Sequence, residues 1–222
     1  KDVDYSVVFE QPNDFTSPMD ALLWLGEELE ILGYKVVKIN LATFTIKATF
    51  PKDHKHSGAA DFVVARKEVS YIPNTRTPLL EMGTLMDDLL RRDFTVNAMA
   101  RDEEGNVIDP FGGENDLIKG VLRTPTDAIV AFNNDPLRIL RGLRFHITTS
   151  LGLSDEVLTA IRLFQPWRMG VVSGDRIREE MTKMFKFDTR ATLEVLSWLR
   201  EMNPKLYNNL IAKFWLMPTT KK

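Results

Sequence analysis

A chain of 222 residues, 44% of them hydrophobic, is long enough for one large or two small domains with a real core. It has no cysteine, which excludes disulfides and thiolate metal sites, and neither a membrane-length apolar run nor a signal peptide; a cytoplasmic protein is the expectation. The net charge of -2 hides an asymmetry, because residues 136–222 carry 15 Lys and Arg against 8 Asp and Glu while residues 1–135 carry 14 against 23. The second half is expected to meet a polyanion and the first to concentrate carboxylates.

Asp2 to Phe9 alternates and is rich in β-formers, which predicts a strand with Asp2 and Asp4 on one face. Two adjacent carboxylates repel unless a cation lies between them, and hard oxygen ligands without nearby His or Cys suit Mg²⁺. The commoner meaning of Asp-x-Asp alone is an exposed acidic strand end. Lys1 precedes these residues directly, so a segment upstream is expected. Ser17-Pro18 opens a helix that runs through Leu32 and ends at Gly33, and Lys35 to Phe50 reads as two strands joined near Asn40 to Thr43. Such a β-α-β-β start predicts a small α+β sheet. His54 and His56 fall in a loop without a third ligand. Asp61, in the apolar run Ala60 to Ala65, is expensive in a central strand unless paired or metal-bound, which makes it a candidate third carboxylate. Tyr71 to Gly83 reads as an irregular loop, and Asp87 and Asp88 as solvated.

The stretch Arg91 to Ala100 interleaves polar and apolar residues too tightly for an ordinary loop. Adjacent Arg91 and Arg92 suit a polyphosphate, Asp93 can orient an arginine or a sugar hydroxyl, and Asn97 shares a face with Asp93 if the segment is helical. A capped helix start with a solvated charged cluster is the competing reading. Asp109-Pro110-Phe111-Gly112-Gly113 reads as a turn or hinge. From Asp135, Leu137, Leu140, Leu143 and Ile147 line one side of a helix, with Asp135, Arg138, Arg141 and Arg144 recurring every three residues beside them. A solvated basic stripe is the usual meaning of such spacing. A carboxylate and a guanidinium one turn apart can instead read a base edge with an exocyclic amine and a ring acceptor, as on cytosine or adenine; an intrahelical salt bridge is the alternative. Further helices are predicted from Ser154, Gly174-Asp175, Thr189 and Pro204, and Trp167, Trp198 and Trp215 read as packing. A boundary is expected around Thr124 to Asn133, giving residues 1–125 and 126–222 as two domains.

In order, Asp2-x-Asp4, Arg91 to Met99, Asp109 to Gly113 with Asp116-Leu117, Asp135 to Arg141 with Arg144-Phe145, and Ser173 to Glu180 resemble the successive motifs of class II tRNA nucleotidyltransferases, the CCA-adding enzymes and their bacterial poly(A) polymerase relatives. The resemblance covers Asp2 to about Phe185. It implies an α+β polymerase β-type nucleotidyltransferase head with a small sheet, followed by an all-helical neck. The implied activity is addition of C, C and A to tRNA from CTP and ATP, by two Mg²⁺ ions and without a nucleic-acid template. By the same resemblance Asp2 and Asp4 would hold the metals, with Asp61 as the third carboxylate. Arg91, Arg92, Asp93 and Asn97 would contact triphosphate and ribose. Asp135 and Arg138 would select the base, Arg141 and Arg144 would lie on the phosphates, and the segment Asp175 to Glu180 would brace their helix. The sequence departs from the family pattern in lacking the Gly-Gly turn before the metal strand, in Asn134 where Glu is usual, and in ending soon after the neck. Shared motifs leave CC-only, A-only and poly(A) addition open, and a non-catalytic RNA- or nucleotide-binding module is the alternative of another class.

Overall fold

The computed structural model describes residues 3–9, 15, 17–72 and 78–211. The chain divides into two compact units, Lys1–Tyr71 with Pro78–Arg91, and Ile72–Thr77 with Arg92–Lys222.

In the first unit, β1 (Val3–Val7), α1 (Pro18–Ile31), β2 (Lys35–Asn40), β3 (Thr45–Thr49) and β4 (Ala59–Val64) follow in order, and the strands form a sheet ordered β1-β4-β3-β2. β4 runs parallel to β1 and antiparallel to β3, so it is central, as the apolar run Ala60 to Ala65 predicts. Ser17 caps α1 by accepting the Asp20 N–H at 3.2 Å, Pro18 occupies the first turn, and Gly33 leaves the helix at φ +83°. Leu22, Leu25 and Leu29 of α1 pack with Ile46, Ala48, Ala60, Phe62 and Val64, all buried, and Tyr5 stacks on Phe62 at 4.9 Å.

Two expectations fail here. Tyr71 to Gly83 is not irregular throughout, because β5 (Arg66–Tyr71) and β6 (Pro78–Met82) pair as antiparallel strands. Pro78 stands first in its strand, where its missing N–H interrupts no ladder, and the intervening residues 73–77 lie outside the described ones. Asp88 is not solvated: in α2 (Leu85–Leu90) it has no exposed surface. Its neighbour Asp87 completes a reciprocal cap with Thr84, whose backbone N–H and hydroxyl hold the Asp87 carboxyl below the usual carboxylate range.

The second unit begins with a 3₁₀ turn (Thr95–Asn97) and the short ribbon β7 (Ala100–Arg101) and β8 (Val107–Ile108). Then come α3 (Gly113–Lys119), β9 (Val121–Leu122), α4 (Ala128–Asn134), α5 (Leu137–Thr149) and β10 (Gly152–Leu153), which pairs with β9. α6 (Asp155–Leu163), a 3₁₀ segment (Pro166–Val171), α7 (Gly174–Phe187), α8 (Thr189–Met202) and α9 (Pro204–Leu210) complete it. Phe132, Leu140, Leu143, Ile161, Met169, Met181, Leu199 and Leu206 belong to one core, in which α5 packs against α7. The predicted helix starts at Ser154, Gly174, Thr189 and Pro204 are observed. α5 begins two residues later than expected, because a residue before proline is kept out of the helical region and Asp135 is extended at φ -134°. The packing role expected of Trp167 is not met: it is 65% exposed, with the Arg168 guanidinium 4.8 Å from its ring. Trp198 does pack against the core, and Trp215 lies outside the described residues.

Candidate functional site

In the first unit the parallel register sets Asp4 of β1 directly beside Asp61 of β4. Their strand neighbours Tyr5, Phe62 and Val64 face the α1 core, so the two carboxylates share the opposite face of the sheet with Ser6. Asp4 is exposed and Asp61 half-buried. The same row continues across the sheet, with Lys47 as the partner of Asp61 on β3 and Lys38 as the partner of Lys47 on β2. Lys47 had no signal in the sequence, because its place beside Asp61 exists only through strand pairing. Asp2 lies outside the described residues. Two hard oxygen donors on adjacent rigid strands fit Mg²⁺, which typically takes one or two carboxylates and completes its shell with water and phosphate oxygens. Among the described residues no three His, Asp or Glu side chains cluster so as to hold a metal ion, and His54 stacks face to face on Phe50 at 4.6 Å.

Arg91 follows α2 as its C-cap, and Asp88 holds it, accepting from Nε at 2.9 Å and from the terminal nitrogen. The same carboxylate accepts from the Ser6 hydroxyl at 3.2 Å. Sequence reading missed Asp88, whose local context is indistinguishable from that of a surface carboxylate.

In the second unit Asp93 is a hub. One oxygen accepts the Phe94 N–H at 2.9 Å and the Asn97 amide at 3.0 Å; the other accepts Arg141 Nε at 2.7 Å and its terminal nitrogen at 2.6 Å. The expected proximity of Asp93 and Asn97 is therefore present, although through a turn preceding the 3₁₀ segment and not on a helix face. Phe94, fully buried, sets its ring edge-on to Phe145 at 5.9 Å, and α5 can approach it only because residue 142 is glycine, whose Cβ would lie 2.9 Å from the Phe94 ring. Arg138 and its successors are not a solvated stripe. Arg138 is 9% exposed, Arg141 is held by Asp93, and Arg144 donates to Glu180 at 2.6 Å while its guanidinium lies 4.2 Å from the Phe145 ring. Glu180 of α7 also lies 3.8 Å from Arg141 and 3.6 Å from Lys183, so it serves two residues of α5 together. Asp175, by contrast, is exposed and pairs locally with Arg178 at 2.8 Å. Asp135 accepts the Leu137 N–H at 3.0 Å one turn before Arg138, and Asn134 is exposed at the end of α4.

The Gly112-Gly113 pair serves two needs. Gly112 is left-handed at φ +77°, while Gly113 lies so close to the Thr95 carbonyl that a Cβ has no room. Thr95 donates to the buried Asp116 at 2.6 Å, and Arg123 bonds Asp116 at 2.9 Å and the Phe111 carbonyl at 2.8 Å. Asp109 accepts the N–H groups of Gly113 at 2.7 Å and Glu114 at 2.9 Å. Burial raises its pKa, but the N–H groups of Glu114, Gly113, Gly112 and Phe111 outweigh this, and the carboxyl titrates below its ordinary 3.8. A depressed carboxyl stabilises the fold above its unfolded-state value and loses that contribution as pH falls through the folded one. Asp109→Asn is therefore expected to flatten the fall of melting temperature as pH drops below 3.8. Parallel thermal profiles of the two proteins would count against this role.

Residues 20–123 match the family model of the poly A polymerase head domain. A multifunctional CCA protein of Pseudoalteromonas atlantica is 44% identical over 110 residues, 48% of this chain and 26% of its own length. A second, from Neisseria gonorrhoeae, is 37% identical over 115 residues, 51% of this chain and 27% of its own length. Among solved structures, a tRNA nucleotidyltransferase complexed with a primer tRNA and an incoming ATP analog matches with a TM-score of 0.64 at 28% identity, over 95% of this chain and 54% of that one. The Bacillus stearothermophilus CCA-adding enzyme in complex with CTP matches with a TM-score of 0.60 at 26% identity, over 82% of this chain and 39% of that one. The matched stretch thus spans about a quarter of the curated relatives. The fold that the motifs imply, an α+β head with a small sheet followed by helices, is the one observed.

Proposed function

We propose that this chain is a member of the family of poly(A) polymerase head domains and CCA-adding tRNA nucleotidyltransferases, to which it is similar, and that it adds C, C and A to the tRNA 3′ end from CTP and ATP and releases pyrophosphate. The observation that carries this reading is the register of Asp4 beside Asp61 on one sheet face. Asp2, Asp4 and Asp61 are the residues that would hold Mg²⁺, which when bound neutralises charge on the attacking and leaving oxygens of an in-line phosphoryl displacement. On this reading residues 1–125 are the head and 126–222 the neck and short body.

Arg91, Arg92, Asp93 and Asn97 take the triphosphate and ribose. Asp135 and Arg138 select the base: the carboxylate accepts from the exocyclic amine that cytosine and adenine share, and the guanidinium donates to a ring acceptor. Uracil and guanine present a carbonyl oxygen where that amine would be, which sets acceptor against acceptor. Arg141 and Arg144 serve the phosphates, while Asp93 and Glu180 hold their guanidiniums in place. Arg138→Ala is expected to lower kcat/KM for CTP and ATP by about ten- to a hundredfold and to relax discrimination against UTP, with a smaller effect on tRNA affinity. Equal loss of nucleotide and tRNA binding would remove the base-reading role.

The deciding experiment incubates the protein with tRNA lacking its 3′ end, Mg²⁺ and labelled CTP or ATP, and sequences the product ends. Ordered addition of C, C and A supports the reading. Only C, only A, or a long A tract would assign the narrower activities, and nucleotide binding without pyrophosphate release would leave a binding module.

A further inference from the structure

Asp88 is a carboxylate with no exposed surface on a six-residue helix. Burying such a group is costly unless its partners offset the lost hydration. Stability alone does not explain its presence, because replacing a buried ion pair with apolar side chains of similar volume is often neutral or stabilising. Its partners are informative. One oxygen accepts from two nitrogens of Arg91, and the other accepts from the Ser6 hydroxyl at 3.2 Å. Ser6 lies two residues after Asp4 on β1, on the face that Asp4 shares with Asp61, about 7 Å further along the strand. One side chain therefore ties the strand bearing the carboxylate pair to the guanidinium that follows α2.

We propose that Asp88 is a positioning residue: hooked to β1 through Ser6, it sets the Arg91 guanidinium at a fixed reach from Asp4 and Asp61, where it meets the triphosphate of the incoming nucleotide. This rests on the transferase reading above and deepens it. Arg91 is a long side chain whose many rotamers would otherwise have to be ordered when the nucleotide binds, and the Asp88 anchor orders it beforehand. Its side chain is 17% exposed, which leaves it accessible to a ligand while Asp88 is sealed beneath it.

The test compares the whole chain with Asp88→Asn, Ser6→Ala, Arg91→Gln and the Asp88→Asn/Arg91→Gln double variant, measuring pyrophosphate release with 3′-truncated tRNA as CTP or ATP is varied. Asp88→Asn is expected to raise the nucleotide KM on the order of tenfold or more, with the tRNA KM little changed. Ser6→Ala should move it in the same direction by less. Asp88→Asn should add nothing once Arg91 is Gln, which a merely structural role would not produce. Should Asp88→Asn fail to fold by circular dichroism, Ser6→Ala alone and combined with Arg91→Gln carries the same comparison. Folded variants with an unchanged nucleotide KM, or effects of Asp88 and Arg91 that simply add, overturn the inference while leaving the transferase reading intact. A wild-type chain that neither binds nor transfers nucleotide overturns both.

Discussion

Asp4→Asn is expected to abolish nucleotide transfer, by about a thousandfold or more, while leaving the thermal unfolding transition where it was. Asp4 is exposed on β1, so the substitution removes a charge without opening a cavity or stranding a buried partner. The apolar residues on the other face of the sheet, Tyr5 on Phe62 at 4.9 Å among them, hold the strand in place regardless. What is lost is one of two adjacent carboxylates whose joint negative charge suits a divalent ion. The measurement is single-turnover incorporation of labelled CTP, with a melt by circular dichroism beside it. Unchanged incorporation would remove the metal assignment from Asp4, and a collapsed melt would show that the residue serves the fold.

The second large effect is expected from Glu180→Ala, which should lower stability by about 3 kcal/mol in urea unfolding and weaken nucleotide binding together. Glu180 is 4% exposed, bonds Arg144 at 2.6 Å and lies 3.8 Å from Arg141. Its removal leaves Arg144, only 15% exposed, without its carboxylate, and leaves Arg141, 32% exposed, with Asp93 alone. Water reaches the second guanidinium better than the first, which keeps the expected loss at the lower end for a broken buried pair. Glu180→Gln retains an acceptor and should lose less. A stability change below about 1 kcal/mol would mean that α5 is held by its apolar packing on α7 and Phe94 alone.

Helix starts were legible in the sequence because capping is local: Ser17-Pro18, Ser154 and Pro204 satisfy free N–H groups within one turn of themselves. The strands of the first sheet were legible because alternation of apolar residues survives in any half-buried strand, and Asp61 stood out as a charge within an apolar run. The interleaved Arg91 to Ala100 segment stood out in the sequence, and in the fold its Phe94 and Ala98 are buried while Asp93 and Asn97 bond each other.

Charged side chains were where local reading ended. Asp87 and Asp88 are chemically identical neighbours, yet one caps its helix and the other is sealed against its own helix's Arg91 and against Ser6, which lies 82 residues away and which only the fold brings to it. Arg138, Arg141 and Arg144 looked like an exposed basic stripe, but Arg138 is buried, and Asp93 and Glu180 meet Arg141 and Arg144 from 48 and 36 residues away. Trp167 has the composition of a core residue and lies outside the core. Patterns satisfied within a turn or along a strand are written in the chain itself. Which carboxylate sits beside which, and which charges leave water, is settled by the pairing and packing of distant segments, since a carboxylate carries no local mark of the partner it will find.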